Sequence, residues 1–428
     1  MMKQTSRALL LSLALSLCGA HGSAAGQAPA QSDDLDKARA LMAQPQVGAA
    51  FAAVDKDRDQ ILHEWTAITE INAPSGHERE RGAYIEKILR SYKLADIHYD
   101  AAGNLIAVRK GTGGGPRVVF DAHMDTVFQP GLKIKATVRD GRIYAPGVGD
   151  DTRNIEALLA TIRALNDAKI KTRGDLIFVF TVEEETTLGG AEAYVKDNKG
   201  KFDHYVALDG GYENFTYGGI GINWYRHHFI GPGGHTRSAT PPYSATLPLA
   251  RAIQRIYELN VPRNPSSNLN IGMLGGSEVV NAKAADAWFT VDLRSTSNEV
   301  IADLEKKIAA ILKEEAERAG MVVKTEVISS SPSAQIPGHR DSALVHTALA
   351  VHQAMGFNNQ PTITGSNNSS AALLAGISSI STGAGPCDAA GFLICSPRMP
   401  SSVLAKPSVA NVISELTSPP TSTAAPVR

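Results

Sequence analysis

The chain has 428 residues, 43% hydrophobic and 20% charged, with a net charge of -1. This composition excludes a disordered polymer, a collagen-like chain and a disulfide miniprotein. Near-neutrality leaves no overall field to attract nucleic acid or an anionic membrane, so neither is expected as a partner.

The first elements in chain order are those of export. Lys3 and Arg7 precede an apolar run, Ala8 to Leu17, and small residues follow, with Ser23-Ala24-Ala25 or Ala28-Pro29-Ala30 as cleavage sites. This is the pattern of a secretory signal over residues 1–25, too short to span a bilayer comfortably. It predicts a periplasmic or secreted protein with no stable membrane span after signal removal. Leu17 is bulky beside Cys18, which argues against a lipoprotein. The other cysteines are Cys387 and Cys395, so a disulfide framework or a cysteine zinc site is not expected.

Residues 26–45 are Ala/Gln-rich and read as loose before a helix, and 26–57 is assigned as a loose N-terminal segment. Helical periodicity follows at 59–73 and 77–92, broken by Asn72-Ala73-Pro74-Ser75-Gly76. Strands are expected at 104–108, 117–121, 176–182 and 205–208, with a helix at 154–168. The run Leu176 to Val182 is continuously apolar, as in a strand covered on both faces. Strands alternating with helices predict an α/β fold with a mostly parallel sheet and helices on both faces. From residue 218 the order becomes strand, helix, strand, strand, helix, strand. That is a βαββαβ, ferredoxin-like unit at 218–329, inserted as a lid between two parts of the first domain, 58–217 and 330–385. Residues 386–428 are rich in Ser and Pro and read as an atypical tail.

The chemistry falls at strand ends, where open α/β sheets bind ligands. His123-Met124-Asp125 ends one strand, and a His can bind a metal through one ring nitrogen while a carboxylate fixes the other. Asp150-Asp151 precedes a helix, where Asp also serves as an ordinary N-cap. Glu183-Glu184-Glu185 ends the buried apolar strand, and Asp209 ends the next. One His with several carboxylates suits zinc, with cobalt or manganese as alternatives.

The motifs FDAHMDTV, GVGDDTRN, FTVEEETTLGGA and ALDGG, in this order, resemble the dizinc exopeptidase superfamily. That superfamily includes peptidase T, glutamate carboxypeptidase, aminoacylase and acetylornithine deacetylase. The resemblance covers residues 58 to 385. It implies a metal-dependent exopeptidase or amidohydrolase with two divalent metal ions, acting on a small peptide or acyl-amino acid. It assigns His123, Asp150, Glu185 and Asp209 to the metals, with Asp125 orienting His123 and Glu184 as general base. Asp150 takes the bridging place over Asp151 because Ile155 then matches the family's apolar position. The insert implies a homodimer, with His235, Asn281 and Arg294 as substrate contacts. His227 and His228 match no motif and read as structural.

The family takes its last metal ligand from a C-terminal His, but the last His of this chain is His352. Ile394-Cys395-Ser396-Pro397-Arg398 can be encoded so that a neighbouring frame reads Ser-Ala-His-Pro-Glu, which makes a shifted reading frame one account of the tail. A non-catalytic peptide-binding relative is the other reading. Gly365-Ser366-Asn367-Asn368 also departs from a Gly-Ser-Thr-Asp-like loop.

Overall fold

A computed structural model describes residues 31–92, 94, 96–139, 142–211, 215–238, 244–277, 279–357 and 361–384. The export signal at 1–25 and the atypical tail at 386–428 lie outside the described residues. The chain divides into two compact units, Gly219–Gln335 and the sequence on either side of it.

The first unit is built on a six-stranded sheet. Its order is Asp96–Tyr99, Leu105–Arg109, Leu176–Thr181, Val118–His123, His204–Leu208 and Ser379–Thr382. The last four strands are parallel to one another, and the first two pairings are antiparallel. Val118–His123 is buried at every residue, as a parallel strand covered on both faces must be. Phe120 lies opposite Phe178 across the strands, their ring centroids 6.2 Å apart. Helix Thr152–Asp167 is buried along most of its length. Three adjacent parallel strands therefore end side by side, at His123, Thr181 and Leu208.

The expectation of a loose segment at 26–57 is corrected from residue 31 onward. Helices Gln31–Met42 and Pro45–Lys56 form there, and the second carries Pro at its start. Ala38, Leu41, Val47, Ala50, Phe51 and Val54 join the main core. Their spacing of three and four residues is that of a buried helical stripe. Alanine, taken as a sign of looseness, is the strongest helix former. Phe51→Ala is expected to cost about 3 kcal/mol, because it leaves a cavity against that core. Thermal unfolding of the variant checks this, and an unchanged Tm would mean that these helices are not integral to the unit.

The second unit is a four-stranded antiparallel sheet in the order Ser267–Gly275, Asp286–Ser295, Gly221–Ile230, Val322–Ser331. Helices Thr246–Tyr257 and Asn298–Ala319 pack on it. Burial alternates along Asp286–Ser295, the mark of a sheet with one covered face. Ser297 caps the longer helix by accepting from Val300 N, and Gly320 ends it at φ 64°. Among the described residues, no helix is long and apolar enough to cross a membrane.

Candidate metal centre

The strand ends of the first unit bring one histidine and a group of carboxylates together. Ligand atoms of His123, Asp150, Asp151 and Asp209 all lie within 4.8 Å of one another. His123 is buried, and its Nε2 faces Asp150 Oδ1 at 3.0 Å and Glu184 Oε2 at 4.0 Å. Its Nδ1 faces the Asp125 carbonyl at 3.1 Å and Asp125 Oδ1 at 3.3 Å. One ring nitrogen is thus fixed from behind while the other points into the acidic group. A metal-binding histidine needs that division of labour.

Asp125 also holds the acidic turn. Its Oδ1 accepts from Glu184 N at 3.0 Å, and its Oδ2 accepts from Glu185 N at 3.0 Å and Ser75 Oγ at 2.6 Å. Glu183 and Leu188 take left-handed backbone angles of φ 56° and 57°, which costs energy in non-glycine residues. Surrounding groups hold the turn in place. Glu78 accepts from Glu183 N and Gly76 N, while Asn104 accepts from Val182 N and donates to Gly190 O. Gly190 is required by close approach, since a Cβ there would meet Asn104 Oδ1 and Val182 O at 2.4 Å. Beneath them, buried Arg81 donates to Met124 O and Ile71 O.

The charges of this group are unbalanced. Burial, with Asp150 adding repulsion, pushes the Asp209 carboxyl up to about 7. The same two causes push Glu185 up to about 8. Burial also drives Glu184 and Asp151 well above the usual carboxylate range, and neighbouring acids add to it. Asp125 behaves oppositely. Burial would raise it, but the bonds from His123, Ser75 and Glu185 N hold it below its ordinary value. Crowded, buried acids of this kind call for cationic compensation.

Asp151 joins the group although the sequence reading passed over it in favour of Asp150. Its oxygens accept from His123 N and Asn154 Nδ2. Asp150 is the one facing the imidazole. Glu185 lies outside the 4.8 Å group, although its backbone N shares Asp125 with that of Glu184. Ser75, Glu78, Asn104 and Arg81 were missed as supports. They act on backbone groups distant in sequence, and no motif marks them; Ser75 was read only as part of a helix break.

In the second unit, Asn281 Nδ2 lies 3.3 Å from His235 Nε2, and Arg294 pairs with Asp292. His235 is exposed. His227 is buried against Thr325 Oγ1 at 2.9 Å, and burial lowers it to about 4. His228 faces Asp286.

The family model described as Peptidase family M20/M25/M40 matches residues 119–397. This chain belongs to that family. It is a metallopeptidase in class, within the dizinc exopeptidase superfamily that its motifs resemble. Among curated relatives, the uncharacterized protein YqjE of Bacillus subtilis is 25% identical over 286 residues, 63% of this chain and 75% of that protein. Carboxypeptidase G2 of a Pseudomonas species is 22% identical over 274 residues, 60% of this chain and 65% of that one. A solved tripeptidase of Staphylococcus aureus shares the fold with a TM-score of 0.67 and 24% identity, over 76% of this chain and 89% of that one. Aminopeptidase PepT of Bacillus cereus gives 0.65 and 22%, over 76% and 90%.

Arg81→Met is expected to destabilise the metallopeptidase by about 3 kcal/mol, because the buried Met124 carbonyl and the half-buried Ile71 carbonyl lose their charged donor. A denaturant titration measures it. A cost under ~1 kcal/mol would mean those carbonyls find other partners.

Proposed function

We propose that this chain is an exopeptidase or amidohydrolase that cuts small peptides or acyl-amino acids at a centre of two divalent metal ions. The observation that carries the reading is the convergence of His123, Asp150 and Asp209, with the Glu184 carboxylate 4.0 Å from His123. The donor set fits the group: one imidazole and several carboxylates, buried together and short of positive charge. Nitrogen and oxygen donors without thiolates favour zinc, then cobalt or manganese.

His123, Asp150, Glu185 and Asp209 would hold the ions. Bound there, they would supply Lewis acidity toward the scissile carbonyl and make water acidic near neutral pH. Asp125 keeps the His123 ring oriented and fixes the backbone of Glu184 and Glu185. Glu184 takes the proton from the attacking water and passes it to the leaving amine. His235, Asn281 and Arg294 would contact substrate, the planar guanidinium suiting a carboxylate. The inserted unit would carry a homodimer contact, and the N-terminal signal would place the mature chain in the periplasm or outside the cell.

The second reading, a non-catalytic peptide binder, rests on the lack of any His beyond His352. Metal content of the purified mature chain, paired with turnover of a dipeptide panel, separates the two. Two metals per chain with chelator-sensitive cleavage supports the enzyme. One metal or none, with peptide bound but not cut, supports the binder.

A further inference from the structure

One face of the sheet in the second unit carries no helix. Asn223 and Tyr225 both donate to Glu305 of helix Asn298–Ala319, so they point to the covered side. Strand alternation turns Trp224, which lies between them, to the open side. On the neighbouring strand Val291 and Leu293 join the core, which turns Asp292 and Arg294 to the open side as well. Register sets the neighbours. Asp292 lies between Trp224 and Asn270, and Arg294 lies opposite Asn268. On its other side Trp224 meets Ser329, which is too short to cover an indole. Trp224 is 39% exposed. An exposed Trp alone needs no explanation; the groups beside it give this one a use.

Arg294 is held but not used up. Its Nε donates to both oxygens of Asp292, at 3.0 and 3.2 Å, which fixes the plane of the guanidinium. Its two terminal nitrogens have no partner among the described residues, and the side chain is 37% exposed, so a ligand can reach them. Asn268 and Asn270 are exposed too, and their carboxamides have no partner among the described residues. A planar fork facing outward suits a carboxylate. Asp292 already offsets part of the charge on Arg294, so the carboxylate needs a further donor. Asn268, directly across the strand pair, has an amide N–H within reach.

A peptide end bound there carries its side chain next to its carboxylate. Trp224 stands on the diagonal from Arg294, a separation that aromatic and long side chains bridge. The indole favours another ring, because two aromatic groups gain from their relative geometry beyond the area they cover, while an aliphatic group gains the area alone. A second carboxylate would face Asp292 without a free guanidinium to receive it, since Arg226 is paired with Glu326 and lies over the Trp288 ring.

We infer that Trp224 and Asn268 form a specificity subsite for a C-terminal substrate residue with an aromatic side chain, held through its free carboxylate at Arg294. The inference rests on the proposed function in taking Arg294 as a substrate contact. It deepens that reading by naming the end of the substrate and the class of its side chain.

The test uses the full mature chain with four probes, Gly-Phe, Gly-Leu, Gly-Glu and Gly-Phe amide. Binding is measured by calorimetry on the chelated chain, and kcat/KM on the zinc-loaded chain. Gly-Phe is expected to bind about fivefold more tightly than Gly-Leu and about tenfold more tightly than Gly-Glu or the amide. Trp224→Ala should remove the preference for Phe over Leu, while Trp224→Phe, which keeps a ring, should retain most of it. Asn268→Ala should cut the preference for Gly-Phe over its amide by about fivefold. Equal binding of the four probes, no binding at all, or a preference for Gly-Leu, Gly-Glu or the amide would each overturn the inference. So would an alanine variant that leaves its ratio intact, or a Trp224→Phe chain that loses the preference. Turnover separates this from the hydrolase reading. Aromatic-selective binding with no cleavage sinks the hydrolase and leaves the subsite standing. Cleavage indifferent to the C-terminal residue sinks the subsite and leaves the hydrolase.

Discussion

Glu184→Gln is expected to lower kcat by about a thousandfold while leaving metal content and KM close to those of the parent chain. The substitution keeps the shape of the side chain and removes its basic oxygen. The geometry makes the test sharp. Glu184 reaches within 4.0 Å of His123 Nε2 but is not among the four residues whose ligand atoms lie within 4.8 Å of one another. Its backbone is held by Asp125, so the turn should survive the change. Burial, together with the charges of Asp209, Glu185 and Asp150, raises its carboxyl, giving it the proton affinity a base needs. Kinetics and metal analysis on the same preparation decide the matter. If metal is lost along with activity, Glu184 is a ligand and the base must be sought elsewhere. If activity persists within about tenfold, Glu184 has no place in proton transfer.

Much of this architecture was legible because its physics is local. A buried parallel strand must be apolar throughout, so Leu176 to Val182 announced itself. The second helix of the insert was equally legible from its period, and the structure places it at Asn298–Ala319 between Ser297 and Gly320. The strand-end residues could be found because one direction of travel through a parallel sheet collects His123, the acidic turn and Asp209 on one edge. What stayed hidden depends on groups far apart in sequence. Arg81 reaches Met124, and Glu78 reaches Glu183, through backbone atoms that carry no residue-type signal. The choice between Asp150 and Asp151 was equally beyond composition. Adjacent identical side chains differ only in where the backbone points them, one at the imidazole and one at the His123 amide. The N-terminal helices were misread for another reason. Alanine-rich segments carry a weak apolar pattern, and only packing against the core shows which face is used.

Stability of the chelated chain should fall as pH rises from 6.5 to 8.5, and divalent metal should abolish that slope. The sign follows from the carboxyls of Asp209 and Glu185, whose folded-state values of about 7 and about 8 lie above those of an unfolded chain. Below about pH 4 both states hold these protons, and the contribution of these groups to stability is fully present. As pH rises through 7 and 8 the folded state must give the protons up and set buried negative charges against one another, so stability is lost. Buried histidines of lowered value, His204 among them, oppose this slope mainly below the window. Burial lowers His352 and His227 to about 4, so their stabilising effect is complete above about 6.5 and fades only as pH falls toward 4. His123, which burial would lower but the surrounding acids hold well above its ordinary value, adds a loss of the same sign as pH rises, and Tm should drop by on the order of 5 °C. Divalent ions replace the protons as the source of balancing charge, so the loaded chain should hold its Tm across the range and gain most from metal at the alkaline end. Scanning calorimetry with and without chelator measures both slopes. A chelated chain whose Tm rises with pH, or a metal-induced gain that is largest at pH 6.5, would show that these carboxyls do not gather around a cation and would remove the electrostatic ground for the metal centre.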